Sequence, residues 1–159
     1  MKTETQLSTW RIQDFSPGEG ASMHTFSPDF DDSDWLPAVA PGDVHSTLLA
    51  AGRIEDPFYD QNEGKCAWIE EREWWYRTTI APAGGALATG DRFELAFDGL
   101  DTYATVWLNG VELGKARNMF HAQVFDVSNE IKPGEANTIA ICFDRPLDHI
   151  EGINIDHWW

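Results

Sequence analysis

The sequence predicts an all-β protein, an antiparallel β-sandwich of the jelly-roll kind with one short helix. Three observations predict it. Apolar residues alternate with polar ones in short runs. Those runs recur every 10–15 residues. Gly, Pro and Asn turns separate them, as expected of sandwiches. The 159 residues fit one domain with room for a real core.

The first forty residues are rich in turns. SPGEG at 16–20 and SPDFDDSDW at 27–35 are Ser/Pro/Asp/Gly clusters that mark loops. Strands are expected over Leu7–Ile12 and Ser22–Phe26 around them. A short helix is expected from Val44 to Ala51. Asp43 suits its N-cap, Val44, Leu48 and Ala51 fall at helical spacing, and Gly52 suits the left-handed position after its end. The stretch Glu55–Arg72 has no clean period and reads as a long loop, a kind of segment that often carries function.

From there the period is two. Trp74, Tyr76, Thr78 and Ile80 alternate with Trp75, Arg77 and Thr79; Phe93, Leu95 and Phe97 with Glu94 and Ala96; Ala104, Val106 and Leu108 with Thr105 and Trp107. Each reads as a half-buried strand. Asn109-Gly110 signals a type I′ hairpin into Val111–Leu113. Ala122–Val127 is a further strand, Lys132–Glu135 a turn, and Thr138–Asp144 the last strand. Arg145–Trp159 shows no convincing element.

A net charge of −16 disfavours nucleic acid and anionic membranes as partners. No stretch approaches 18 apolar residues and the N-terminus lacks an apolar leader core, so a cytoplasmic protein is expected. Cys66 and Cys142 form no CxxC pair, and the five His are scattered, although His149 and His157 with Asp148 and Asp156 could meet in the tail; no metal site is expected. Without GxGxxG or a Walker loop, no nucleotide cofactor is expected either. His45 and Ser46 are neighbours on a helix, where adjacent side chains do not face each other. Glu70, Glu71 and Glu73 read as a solvated acidic loop rather than a hydrolytic pair. The 55–72 loop mixes Phe58, Tyr59 and Trp68 with Asp60, Gln61, Asn62 and Glu63. Sugar sites use that mixture, aromatic faces for C–H faces and polar groups for hydroxyls.

Four segments together resemble the N-terminal domain of β-mannosidase-like family 2 glycoside hydrolases. They are APGDVHSTLLAAGRIEDPFYDQNE (Ala40–Glu63), EWWYRTTI (Glu73–Ile80), FDGLDTYATVWLNGVELGKARNMF (Phe97–Phe120) and DVSNEIKPGEANTIAICF (Asp126–Phe143). The resemblance spans about residues 30–145, and the PGDVH to NE run is its most specific part. It implies a galactose-binding-like jelly roll packed against a (β/α)₈ barrel that holds two catalytic Glu. That parent enzyme would cleave terminal β-linked mannose with retention, through a glycosyl-enzyme intermediate. Neither catalytic Glu can be carried over, because no barrel is present in this sequence, and the chain by itself is expected to be inactive. Its rivals are a standalone carbohydrate-binding module and an interaction domain for a separate catalytic subunit. The resemblance implies a substrate-proximal place for Asn62 and Glu63, with Trp68 as a wall. The family's WDWGP-like segment, expected soon after Asp144, is not found before Trp159. The domain 1–159 is therefore expected to lack a closing strand and to self-associate through an unpaired sheet edge.

Overall fold

Trp74 and Trp75 are neighbours in the chain and lie on opposite faces of one sheet, in different hydrophobic clusters. The computed structural model describes residues 3–82 and 92–150, the last by its backbone alone. The strands are β1 (Thr9–Phe15), β2 (Leu36–Val39), β3 (Glu73–Ile80), β4 (Glu94–Phe97), β5 (Ala104–Leu108), β6 (Val111–Ala116), β7 (Gln123–Asp126) and β8 (Asn137–Phe143). Six of them form an antiparallel sheet in the order β2-β1-β3-β8-β5-β6, and β4 pairs with β7 in a second, two-stranded sheet. The all-β sandwich is thus as expected.

The register aligns the two faces. Ile12, Tyr76, Ile141 and Val106 form one row on the front face; Arg11, Arg77, Ala140 and Trp107 form a row on the back. The front carries the larger core, closed by Leu95, Phe97 and Phe125 of the small sheet and by Leu48. The back is covered by residues 16–35, whose Trp35, Phe26 and Phe30 pack on Phe15, Trp75, Ala140 and Cys142. The expectation of half-buried strands is therefore corrected for β3 and β5, which bury residues on both faces. Nearly every residue of β8 is buried, because the turn-rich segment turns its aromatics inward and forms a second layer. Cys142 and Cys66 are both buried with free thiols.

Arg77 holds that layer down. Its side chain is 3% exposed and donates to the Asp32 carboxylate at 2.8 Å and to the carbonyls of Thr25, Ser27 and Phe30. The rings of Phe30 and Trp35 flank the guanidinium. A buried charge is tolerable only when paired and hydrogen-bonded in this way.

The strand expected at Ser22–Phe26 is not formed. Gly18, at φ 81°, leads instead into the single turn α1 (Glu19–Ser22). Gly20 passes so close to the Trp75 indole that a Cβ there would sit 2.3 Å from its Nε1. The expected solvated Glu73 is also corrected. It is 5% exposed and accepts from the Gly18 and Gly20 amides at 2.7 and 2.9 Å and from Trp75 Nε1 at 2.8 Å.

α2 (Val44–Ala50) forms where expected. Asp43 accepts from the Ser46 amide in a capping box, and Gly52 takes φ 65°. Asn109 and Gly110 take φ 52° and 85°, the type I′ geometry read from the sequence. β2 was not expected. Pro37 sits in an edge strand, where its missing N–H is harmless. More than one short helix forms: the 55–72 stretch folds into α3 (Asn62–Cys66) and a 3₁₀ segment (Ala67–Glu71), and α4 (Leu147–Ile150) follows β8. Asn62, Cys66 and Ile69 are the buried residues of that stretch, a helical spacing that its many charges obscure. No helix among the described residues is long and apolar enough to cross a membrane.

Candidate functional site

The small sheet spans less width than the six-stranded sheet below it, and β4 pairs with β7 alone. Between β4 and the loop entering α2, the front face opens into a cavity of about 760 Å³. Its walls are Trp10 of β1, Trp74 and Tyr76 of β3, Ile141 and Phe143 of β8, and Phe97 of β4. Tyr76 stands edge-on to Trp10 and Phe143, with centroids 6.5 and 5.4 Å away. The indole N–H groups of Trp10 and Trp74 donate to Leu7 O and Ile69 O at 3.2 and 3.0 Å, which fixes the rings.

Carboxylates form the rim: Asp43, Glu70, Asp101 and Asp144. Burial, and after it the nearby charge of Asp43, pushes the Tyr76 phenol up to about 12. Tyr76 therefore stays protonated as a donor over the whole physiological range. Asp144 Oδ2 is 2.9 Å from His149 Nε2, and the His149 ring stacks on Tyr103, another rim residue. An apolar floor with an acidic, hydroxyl-bearing rim can take the C–H face of a sugar or an apolar polypeptide segment. Of the His/Asp tail reading, His149 and Asp148 lie within the described residues, where His149 meets Asp144 and Asp148 meets Arg145; His157 and Asp156 lie outside them. No group of three or more metal-ligating side chains occurs among the described residues.

None of the three residues expected near substrate is on the lining of this cavity. Asn62 is buried and donates from its amide to Asp56 O at 3.1 Å, closing the 56–62 turn on itself. Glu63 is exposed in the first turn of α3. Trp68 is 38% exposed and rests on Trp74, with centroids 6.1 Å apart, so its inner face continues the cavity wall. The turn that Asn62 closes holds Phe58 and Tyr59 out in solvent, 98% and 73% exposed.

Tyr76, Trp10, Phe143 and Asp101 line the cavity without having been singled out. Strand runs marked Trp10, Tyr76 and Phe143 as core, while Asp101 stood only in a family-like motif, and nothing in a single sequence distinguishes a core ring from one at the open end of the sandwich. Asp43 was identified only as a helix cap, a role it also plays.

Residues 22–157 match the family described as glycosyl hydrolase 2 galactose-binding domain-like. The chain is 36% identical to a β-mannosidase of Mus musculus over 116 residues, 73% of this chain and 13% of the relative. It is 41% identical to β-mannosidase B of Thermothelomyces thermophilus over 114 residues, 71% of this chain and 13% of the relative. Among solved structures it is similar to a β-D-mannosidase from Dictyoglomus thermophilum, with TM-score 0.75 and 27% identity over 96% of this chain and 17% of that one. An exo-chitosanase of Amycolatopsis orientalis gives TM-score 0.74 and 26% identity over 88% and 16%. The chain thus spans between 13% and 17% of the lengths of these proteins.

Proposed function

We propose, from the premise that this chain belongs to the glycosyl hydrolase 2 galactose-binding domain-like family, that it works as the N-terminal sugar-binding-like accessory domain of a β-mannosidase-like retaining hydrolase and is inert alone. The observation that carries this reading is the front cavity of about 760 Å³, walled by aromatic rings and continued outward by Trp68. An apolar cavity with a few converging polar groups marks a binding face. The occupant we favour is a (β/α)₈ catalytic part and the β-mannoside bound at its mouth, with Glu63 and Trp68 toward the sugar and Asn62 fixing the turn between them.

The test is to mix the purified chain with the separately expressed barrel of a related β-mannosidase and follow aryl β-mannoside hydrolysis. The expected result is no turnover by the chain, and association with a gain in rate on mixing. Turnover by the chain alone, abolished by one Glu→Gln change, overturns the reading. So does failure to associate.

A second reading has its own observation. The outer edge of β4 has no partner strand among the described residues, and open edges pair with other strands. Self-association through β4 would bury the same cavity, and size-exclusion chromatography at increasing concentration tests it. A monomer at every concentration removes this reading.

A further inference from the structure

A second, smaller pocket opens on the opposite face of the molecule. Residues 16–35 cover the back of β1, β3 and β8 and, through Phe26 stacked on Trp107, part of β5, and leave the back of the hairpin open only around Thr105, Glu112 and Lys115. The result is a pocket of about 370 Å³ between Pro17–Ala21 on one side and Asp144–His149 on the other. Register sets its floor: Thr105 lies opposite Lys115, and Trp107 opposite Glu112, across a bulge between Val106 and Trp107.

Hydrogen bonding in this pocket is unevenly used. The carboxylate of Glu73 is filled by Gly18, Gly20 and Trp75. Asp148 is taken by Arg145, and Asp144 by His149. Four groups on the floor make no hydrogen bond or ion pair among the described residues: the Thr105 hydroxyl, the Trp107 indole N–H, the Glu112 carboxylate and the Lys115 ammonium. Thr105 is the telling one. The residue is only 7% exposed, and its side chain faces this pocket. An almost buried hydroxyl normally finds a partner. The only orphan polar atom sealed from solvent among the described residues is elsewhere, at Thr25, so the Thr105 hydroxyl is open to the pocket.

We propose that this back pocket is a second carbohydrate site that takes one neutral hexopyranose unit. The volume lies at the small end of the range for small-molecule sites, which suits one sugar ring rather than a chain of them. A sugar hydroxyl both donates and accepts. Neighbouring hydroxyls match an ammonium donor, a carboxylate acceptor, an indole donor and a hydroxyl set within two register steps. Glu112 and Lys115 are the charged groups left without a partner, and Glu73 keeps its charge among neutral donors. Glu73 and Glu112 repel a uronate and the free Lys115 ammonium repels an amino sugar, so an uncharged ring is favoured. This inference does not rest on the accessory-domain reading. It concerns the other face and is tested on the isolated chain.

The experiment is a titration of the ¹⁵N-labelled chain with D-mannose and D-glucose, and in parallel with glucuronate and glucosamine, read at the indole N–H signals. A neutral hexose is expected to give a saturable shift of the Trp107 signal in the millimolar range, where a single sugar ring of few contacts belongs. The variant Thr105→Val keeps the shape and removes the hydroxyl. It is expected to weaken binding about fivefold, the loss of one hydrogen bond, and to leave the thermal midpoint unchanged. No Trp107 shift up to about 50 mM sugar, affinity far outside this weak range, overturns the proposal. So do shifts confined to Trp10 and Trp74 on the front face, equal or stronger binding of the charged sugars, and unchanged affinity in the variant.

Discussion

The carboxylate of Asp32 lies 2.8 Å from Nε of Arg77, a residue 45 positions later and buried at the centre of the large sheet. Through it, a segment composed almost wholly of turn residues becomes a structural layer. Replacing Arg77 with Met is expected to strand the Asp32 carboxylate and the carbonyls of Thr25, Ser27 and Phe30. The expected loss is about 3 kcal/mol, as for breaking a buried pair from one side. Asp32→Asn should cost less, about 1 kcal/mol, because that carboxylate is partly solvated. Urea denaturation midpoints of the two variants check the order; equal losses would count against the buried-hub account.

Glu73 is the second tie between the same layers. Its oxygens receive three N–H donors, and a glutamine would turn its own N–H₂ toward at least one of them. Glu73→Gln is expected to cost about 2 kcal/mol and to change the near-ultraviolet circular dichroism of Trp75. A fully native spectrum and unchanged stability would show that the carboxylate is incidental.

Stability should fall at alkaline pH through Tyr76. Its phenol is raised by burial from 10 to about 12, so its contribution is complete below pH 10 and lost as pH rises from there to about 12. The maximum loss is roughly 3 kcal/mol. Tyr76→Phe removes a group that must ionise, so the variant is expected to hold its stability better over that window. Parallel decline of both proteins in chemical denaturation from pH 9 to 12 would assign the loss elsewhere.

Burial, followed by the charges of Glu73 and Asp144, pushes the Cys142 thiol well above its ordinary range. Thiolate is the reactive form. Cys142 is therefore expected to resist iodoacetamide at about pH 8 in the native protein and to react fully once unfolded. Peptide mass spectrometry reads the difference, and rapid labelling of the native chain would contradict the packing of the back layer.

The three residues of the 62–68 stretch should separate by role. Asn62→Ala opens the Asp56–Asn62 turn and is expected to lower stability by about 1 kcal/mol. Trp68→Ala, with part of its ring in solvent, is expected to leave folding nearly intact and to weaken assembly with a catalytic partner about tenfold, as a contact aromatic does. Calorimetric titration of the partner with each variant, beside thermal melts of the chain alone, distinguishes the two. Assembly unaffected by Trp68→Ala would remove that ring from the contact face.

What the sequence by itself determined is what local chemistry controls. Alternation placed β3, β5 and β8 within a residue or two. Asp43 and Gly52 bounded α2, and Asn109-Gly110 set its hairpin, because capping and positive φ act over a few bonds. The motifs from Ala40 to Phe143 also reached the right family. Tertiary structure alone decided the rest. Residues 16–35 carry no period of their own and are held by Arg77 and Glu73 of a strand built some forty residues later, with Arg11 and Phe15 of β1 as further anchors. Neither partner is readable from the other's neighbourhood. Asn62 is buried and closes its own turn, because side-chain direction follows from which helical face packs inward. The cavity and the back pocket exist where covering layers stop short of the sheet's width. That is a property of long-range packing, with no counterpart in any run of adjacent residues.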